Sequence, residues 1–377
     1  MIVTGETSGE LYGSLLAASL KKRQPETRII GIGGERMKEA GVELVSGISS
    51  AFGLAEAVSS ISKIKETFRK AVEALAWYKP GVLVLIDYPD FNLKLAGEAK
   101  KHKIKILYYV SPQVWAWRKR RVKKIARLAD RMAVILPFEE KLYKNAGLFC
   151  EFVGHPVFDE IQELKVDKNQ IKRELGLKEG MPVLSLLPGS RPHEIDKLLP
   201  VILNVAREFK KEFKEYQFCI PFAPNTDICK YSAFINSLKS EGAVINKGES
   251  LKALYVSDMA VIASGTATLQ AVLLDVPVVV IYKLFPLTYW MAKLIVKVKY
   301  ASLVNILSGQ EVVKELFQSD VTAKNIMHEI RKIASDKKYK DKMIEAYSRV
   351  RSMFSGKRAS ERVADMVEEM AGLKQIK

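Results

Sequence analysis

The residues best suited to chemistry begin with Ser190 and Arg191, which follow an apolar run and a Pro-Gly turn in the stretch LSLLPGSRPHE, 184–194. A strand that ends in a glycine turn and feeds a helix presents backbone N–H groups and a positive helix end to an anion. A hydroxyl and a guanidinium beside those groups suit a diphosphate. We therefore predict an anion site at Gly189, Ser190 and Arg191, with an ordinary turn and a surface arginine as the alternative.

A second loop of small residues, ASGTATLQ at 263–270, also joins an apolar strand to a helix. Gly265 lets a ligand approach the backbone closely, and Ser264 and Thr266 offer hydroxyl groups. The alternative is that Ser264 or Thr266 only caps the helix. Two anion-accepting loops on one sheet suit one diphosphate.

Asp87 ends the continuous apolar run GVLVLID, 81–87, which is typical of a strand buried on both faces of a parallel sheet. A carboxylate at the carboxyl end of such a strand points into the crevice where α/β proteins bind ligands. Asp87 is therefore our candidate general base, with a role in the turn as the alternative. Asp90 is expected to cap the following helix.

The start of the chain has the same pattern of strand, glycine-containing loop and helix, with TGETSGE directly after Met1 to Val3. This pattern opens a βαβ unit and places Glu6 and Ser8 at the carboxyl end of the first strand. A helix cap by Thr7 or Ser8 is the alternative.

The elements that position these side chains alternate between strand and helix in two successive sets. Strands are predicted at 1–3, 28–32, 81–87, 104–110 and 132–136, and then at 183–187, 217–221, 243–245, 259–263 and 276–282. Two such sets predict an α/β protein with two doubly wound, Rossmann-like domains that face a central cleft. We place the N-terminal domain at 1–160, the C-terminal domain at 161–345 and a helical tail at 346–377 that can pack back on the N-terminal domain.

Composition narrows the possible partners. The 377 residues include 60 Lys and Arg against 43 Asp and Glu, a net charge of +17 that favours nucleic acid, an anionic membrane or phosphorylated substrates. The three cysteines show no CxxC spacing, so we expect a reducing cytosol without a disulfide or zinc framework. No apolar run approaches the ~20 residues of a spanning helix, so any membrane contact is expected to be peripheral.

Three segments combine apolar or aromatic residues with cations. Trp115 and Trp117 precede four consecutive cations, which could stack bases, bind phosphates or rest in a headgroup layer. The segment 51–64 is either a core helix or a lipid-facing patch. The segment 284–300 has the mixture expected of a membrane-surface helix, although it could instead pack between domains with its lysines outward.

Taken together, the motifs resemble the lipid-A-disaccharide synthase family, which are glycosyltransferases of the two-domain GT-B fold. The resemblance rests on GETSG at 5–9, IDYPDFN at 86–92, YVSPQVWAWR at 109–118, LPGSR at 187–191, ASGTATL at 263–269 and SLVN at 302–305. The motifs stand in the family's order, and SPQVWAW is the most specific of them.

The resemblance implies an inverting transfer of 2,3-diacylglucosamine from its UDP derivative to the 6-hydroxyl of 2,3-diacylglucosamine 1-phosphate. Asp87 matches the family's proposed base, and Arg191 matches the position at the donor phosphates. Gln270 stands where the family usually has a glutamate that would hold the donor's ribose. The implied substrate-binding set is Gly5, Glu6, Ser8, Gly9, Gln113, Gly189, Ser190, Ser264, Gly265, Thr266, Ala267, Gln270 and Asn305. The family reaction implies no metal and no other cofactor.

The expected partners are therefore the two acylated sugars and the anionic cytoplasmic face of the inner membrane, and an oligomer is compatible with the sequence. A cell-wall transferase or an epimerase that uses UDP-N-acetylglucosamine would have similar loops, but an epimerase would need no apolar surface for acyl chains. A basic nucleic-acid-binding protein would explain the charge. It would leave Asp87 and the two loops unexplained, and no nucleic-acid-binding module is evident.

Overall fold

The computed structural model describes residues 1–47, 56–117, 120–164, 166–284 and 299–373. It divides into two compact units, Met1–Glu160 with Gly356–Lys377, and Ile161–Ser355. The helical tail was predicted to begin at 346, whereas the chain returns to the first unit only at Gly356. Of the segments considered for membrane contact, residues 51–55 and 285–298 lie outside the described residues, as do Arg118 and Lys119.

The first unit contains a seven-stranded parallel sheet in the order β3-β2-β1-β4-β5-β6-β7. Its strands are β1 (Ile2–Val3), β2 (Ile29–Gly33), β3 (Val42–Gly47), β4 (Val82–Ile86), β5 (Lys105–Tyr109), β6 (Arg131–Val134) and β7 (Cys150–Phe152).

The second unit contains a six-stranded parallel sheet in the order β10-β9-β8-β11-β12-β13. Its strands are β8 (Val183–Leu187), β9 (Gln217–Phe222), β10 (Ala243–Lys247), β11 (Met259–Ala263), β12 (Val278–Tyr282) and β13 (Lys314–Phe317). The predicted α/β class with two parallel-sheet domains is confirmed.

Helices connect the strands and cover the sheets. They are α1 (Thr7–Arg23), α2 (Glu35–Glu39), α3 (Glu56–Tyr78), α4 (Pro89–Lys101), α5 (Val114–Trp117), α6 (Arg121–Leu128), α7 (Pro137–Lys144), α8 (Pro156–Glu163), α9 (Lys168–Glu174), α10 (Pro192–Glu212), α11 (Ser232–Ser240), α12 (Ser250–Tyr255), α13 (Thr266–Leu273), α14 (Leu303–Ser308), α15 (Ala323–Ser335), α16 (Lys337–Ser352) and α17 (Ala359–Ala371). Across the described ranges, no helix is long and apolar enough to cross a membrane.

Each sheet has one topological switch point, the place where the strand order reverses direction. It lies between β1 and β4 in the first unit and between β8 and β11 in the second. The strands beside these points are buried on both faces, as the continuous apolar runs VLVLI, VLSLL and MAVIA require. Ligands of open α/β sheets bind at the carboxyl ends of the strands beside such a point.

The C-terminal helix α17 belongs to the first unit, where it packs on α1 and on the strands β4 and β5. Its N-terminus is capped by Asp159, whose carboxylate accepts hydrogen bonds from the backbone N–H groups of Ala359 (3.2 Å) and Ser360 (2.7 Å) and from the Ser360 hydroxyl (2.6 Å). Farther along α17, Arg362 pairs with Glu151 on β7. The last helix therefore completes the first unit.

Candidate functional site

In the first unit, the predicted residues of the loops after β1 and β4 lie together at the switch point. The ring of Tyr88 covers Gly5 so closely that a Cβ added to Gly5 would lie 2.3 Å from Tyr88 Cγ. The ring also stacks on Phe91, with centroids 5.2 Å apart. Burial raises the pKa of Tyr88, and the negative charges of Glu6 and Asp90 raise it further, so these three side chains share one environment.

Asp87 occupies a strained turn. Both Asp87 and Tyr88 have φ of +45°, a left-handed conformation that side chains other than glycine adopt at a cost. The turn is held by the Asp87 carbonyl, which accepts hydrogen bonds from the Tyr108 hydroxyl and from Asn92 Nδ2, each at 2.8 Å. Asn92 is fully buried, and its amide also donates to the carbonyl of Ile86 at 3.2 Å. The half-buried carboxylate of Asp87 is therefore presented by a fixed backbone.

The remaining predicted residues of the first unit follow strands β1 and β5, at the same edge of the sheet as this turn. Glu6 is exposed at the N-cap of α1, and Ser8 is half-buried in its first turn. Gly9 has no room for a side chain, because a Cβ there would lie 2.2 Å from Thr4 Oγ1. Gln113 is exposed in the loop after β5, the strand next to β4.

Glu139 adds a buried carboxyl group to this region, although no sequence motif singled it out. It is 1% exposed, and its oxygens accept hydrogen bonds from Trp115 Nε1 at 3.1 Å and from the Leu136 N–H at 3.3 Å. Burial raises the pKa of Glu139 to about 8, and the negative charge of Asp87 acts in the same direction. The only sequence signal was Glu at the third position of a helix that begins with proline, a helix-capping pattern.

In the second unit, the loops after β8 and β11 lie side by side, since a Cβ on Gly189 would be 3.4 Å from that of Ala263. Gly189 has φ of +105°, and the N–H groups that follow it already have an acceptor in the protein. Glu194 Oε2 accepts hydrogen bonds from Ser190 N at 3.2 Å and from Arg191 N at 3.3 Å. The carboxylate of Glu194 thus caps the helix at the same N–H groups where the sequence predicts an anion.

The side chain of Arg191 remains at the solvent side of this turn. Its Nη1 lies 3.6 Å from Glu194 Oε1, and 41% of the side chain is exposed. A half-exposed pair of this length contributes little to stability. The guanidinium is therefore only partly buried, whereas the two backbone N–H groups are paired within the protein.

The loop after β11 differs from the loop after β8 at the start of its helix. Gly265 is the N-cap of α13 and contributes no side-chain cap, and the N–H groups of Thr266 and Ala267 in the first helical turn have no acceptor within the helix. Ser264, Thr266 and Ala267 are half-buried, whereas Gly265 is exposed. Gln270 lies one turn farther along and is 6% exposed.

Asn305 has a structural environment that the sequence analysis did not anticipate. It is fully buried, and its carbonyl oxygen accepts hydrogen bonds from the N–H groups of Val312 (2.7 Å) and Val313 (3.0 Å). Its amide donates to the Val313 carbonyl at 2.9 Å and to Glu315 Oε1 at 2.8 Å. These contacts use the whole side chain to hold the segment before β13, and they account for Asn305 without a ligand.

Comparison with known proteins shows the family to which the chain belongs. A family model described as lipid-A-disaccharide synthetase matches residues 1–367. The chain belongs to the lipid-A-disaccharide synthase family. A protein of that name from Syntrophus aciditrophicus is 40% identical over 368 residues, covering 97% of this chain and 96% of the relative. Another, from Geobacter sulfurreducens, is 39% identical over 374 residues, covering 99% and 97%. Members of this family are glycosyltransferases.

Solved structures agree with the GT-B fold expected of a lipid-A-disaccharide synthase. A putative UDP-N-acetylglucosamine 2-epimerase from Listeria monocytogenes has a TM-score of 0.69 at 14% identity, with 100% of this chain and 96% of that chain covered. The calicheamicin glycosyltransferase CalG4 has a TM-score of 0.61 at 14% identity, with 99% and 98% covered. At such low identity these similarities bear on the fold alone.

Proposed function

We propose that the chain transfers 2,3-diacylglucosamine from UDP-2,3-diacylglucosamine to the 6-hydroxyl of 2,3-diacylglucosamine 1-phosphate. The products are the β1→6-linked disaccharide 1-phosphate and UDP, and the anomeric carbon inverts. One observation carries the proposal: in each unit, a polar or cationic group suited to half of this reaction lies beside the switch point. The groups are Asp87 in the first unit and Arg191 with the start of α13 in the second.

The first unit is proposed to bind the acceptor. The Asp87 carboxylate takes the proton of the 6-hydroxyl while the hydroxyl oxygen attacks the anomeric carbon of the donor. The left-handed turn, held by Tyr108 and Asn92, fixes the direction of this carboxylate before the substrate arrives. Glu6, Ser8 and Gln113 are assigned to the acceptor sugar, with Gly5 and Gly9 keeping the first loop close to the sheet.

The second unit is proposed to bind the donor. As the new bond forms, the bond between the anomeric carbon and the diphosphate breaks, and UDP leaves with the electron pair. The guanidinium of Arg191 and the first N–H groups of α13 stabilise the charge that develops on the diphosphate. Ser190, Ser264 and Gly265 line the same loops, and the amide of Gln270 is assigned to the ribose, where it can both donate and accept hydrogen bonds.

We further propose peripheral association with the cytoplasmic face of the inner membrane. The support is the net charge of +17 and the acylated nature of both proposed substrates. Cations near an anionic leaflet contribute roughly 1 kcal/mol each, and this contribution is screened by salt. Binding to vesicles that contain anionic lipid should therefore fall steeply with added salt, and salt-independent binding would contradict the idea.

The reaction is tested by supplying both substrates and measuring disaccharide and UDP. Asp87→Asn is expected to lower kcat about 100-fold or more because the general base is lost. Arg191→Ala should lower kcat/KM for the donor by about 100-fold through loss of charge at the leaving group. Matched controls are Glu98→Gln on α4, which pairs with Lys101, and Arg207→Ala on α10, which pairs with Glu241.

Both controls should keep activity close to that of the wild type. If the wild type binds UDP but makes no disaccharide, the donor site stands and the acceptor assignment fails. If Asp87→Asn retains full activity, the base must be sought elsewhere in the first unit.

A further inference from the structure

The helix α6 presents a stripe of cations on its solvent side. Val122 and Ile125 bury the opposite face against the first unit. The four cations, Arg120, Lys123, Lys124 and Arg127, are exposed, and their spacing of three and four residues places them on one face of the helix. Together they line an open recess of about 770 Å³.

These cations lack acidic partners within the part of the chain that the structure describes. By contrast, their neighbour Arg121 forms an ion pair with Asp90. Like charges three and four residues apart repel one another and destabilise a helix. A bound anion would relieve this repulsion, so the recess favours a ligand with more than one negative charge.

The helix that carries the cation stripe is connected by an ion pair to the region of the turn that carries Asp87. The Arg121–Asp90 pair joins the start of α6 to the first turn of α4, which begins two residues after Asp87. Burial raises the pKa of Tyr108 above its usual value, and the charge of Arg121 opposes that rise. Because the Tyr108 hydroxyl donates to the Asp87 carbonyl, the charge at the start of α6 acts on a residue that holds the turn carrying Asp87.

We propose that Arg120, Lys123, Lys124 and Arg127 bind the phosphate monoester of the lipid acceptor. This inference rests on the proposed function, in which the 6-hydroxyl of the acceptor meets Asp87. The acceptor carries its 1-phosphate on the same sugar ring as the 6-hydroxyl, so the phosphate must bind within about one sugar's length of Asp87. A phosphate monoester carries about −1.5 to −2 charges, which an unpaired cation stripe can neutralise.

The test is equilibrium binding of two acceptors in non-ionic detergent micelles, with no donor and no anionic lipid. One is 2,3-diacylglucosamine 1-phosphate and the other is the same sugar without the phosphate. The wild type should bind the phosphorylated form more tightly. In the variant Lys123→Glu/Arg127→Glu, the ratio of the affinity for the phosphorylated sugar to that for the unphosphorylated sugar should fall about tenfold or more. The reason is that charge-assisted contacts to the phosphate are removed.

The control is Lys338→Glu/Lys342→Glu on α16, where two exposed cations with the same spacing undergo the same change in charge. It should keep the wild-type preference. Unchanged UDP affinity in both variants shows that the fold is intact. The proposal is overturned if the α6 variant keeps the preference in micelles. A parallel assay with vesicles that contain anionic lipid separates the other source of phosphate: a variant that loses affinity for these vesicles but keeps the preference would assign the stripe to the membrane surface. Because binding is measured without turnover, failure of the proposed reaction would show separately, as absence of disaccharide.

Discussion

The carboxylate of Glu194 contacts Arg191 twice: Oε2 accepts a hydrogen bond from the Arg191 backbone N–H at 3.3 Å, and Oε1 lies 3.6 Å from Nη1 of its guanidinium. The same arrangement recurs in the first unit, where Glu139 accepts from the Leu136 N–H with one oxygen and from Trp115 Nε1 with the other. Both glutamates stand at the third position of a helix whose first residue is proline. In each case the carboxyl group that caps the helix also contacts a nearby side chain.

Removing the Glu194 carboxylate should destabilise the second unit. Glu194→Ala is expected to lower the free energy of unfolding by about 1–2 kcal/mol, because the Ser190 and Arg191 N–H groups lose their acceptor. Glu194→Gln keeps an amide oxygen for these groups and should lose less. Urea denaturation of both variants checks this, with Glu208→Ala on the same helix as the control. Equal losses for Ala and Gln would show that the hydrogen bonds to the turn do not matter.

Gly5 is expected to tolerate no side chain while Tyr88 is present. Gly5→Ala places a Cβ 2.3 Å from Tyr88 Cγ, so the ring and with it the Asp87 turn must move. We expect a loss of about 1–3 kcal/mol of stability and a large fall in kcat. Gly97→Ala is the matched control, because nothing lies within 4 Å of its added Cβ and alanine favours the helix.

A second substitution tests whether Tyr88 is the cause. Tyr88→Ala in the Gly5→Ala background removes the ring that the new Cβ contacts, so part of the lost stability should return. If the double variant is as unstable as the sum of the two single variants, the clash is with another part of the structure.

Most of the interior of both sheets could be predicted from the sequence, whereas three of the four edge strands could not. Strands such as β4 and β8 are buried on both faces and therefore read as continuous apolar runs. The edge strands β3 and β13 are largely half-buried and carry Glu, Lys and Ser among their apolar residues. Their sequences therefore show neither a continuous apolar run nor a strict alternation of apolar and polar residues. The edge strand β7 has three residues, too few for a pattern.

The residues of the candidate site also fall into those whose positions the sequence could predict and those whose positions it could not. Asp87, Arg191 and the small-residue loops could be predicted because a strand end and a glycine turn are local in sequence. The positions of Asn305 and Glu139 could not, since each depends on partners that only the fold brings near. Asn305 is held by residues before β13, and Glu139 contacts Trp115, which lies 24 residues away in the chain.

Glu139 should make the stability of the protein depend on pH. Its pKa is about 8 in the folded protein against 4.5 for an ordinary glutamate. Between these values the folded state holds a proton that the unfolded state has released, so the free energy of unfolding falls as pH rises. Above about pH 8 both states are ionised and this contribution stays constant.

Glu139→Gln removes this titration. The stability of the variant relative to the wild type should therefore increase from about pH 5 to about pH 8 and change no further, as measured by urea denaturation across that range. Glu140→Gln makes the same change at the next residue, which is partly exposed and pairs with Lys144, and it serves as the matched control. A constant difference between Glu139→Gln and the wild type would mean that Glu139 is already ionised in the folded protein.

Asp159 should determine whether α17 stays attached to the first unit. Asp159→Ala leaves the Ala359 and Ser360 N–H groups without their acceptor, and each lost hydrogen bond at a buried helix start costs about 1 kcal/mol or more. The helix should then detach more often, and limited proteolysis should cut near Gly356 faster than in the wild type. Asp365→Ala is the control, because that residue meets Arg23 in a partly exposed pair farther along α17. Equal cleavage rates for the two variants would show that the cap at Asp159 does not hold the helix, and that its packing on α1, β4 and β5 is sufficient.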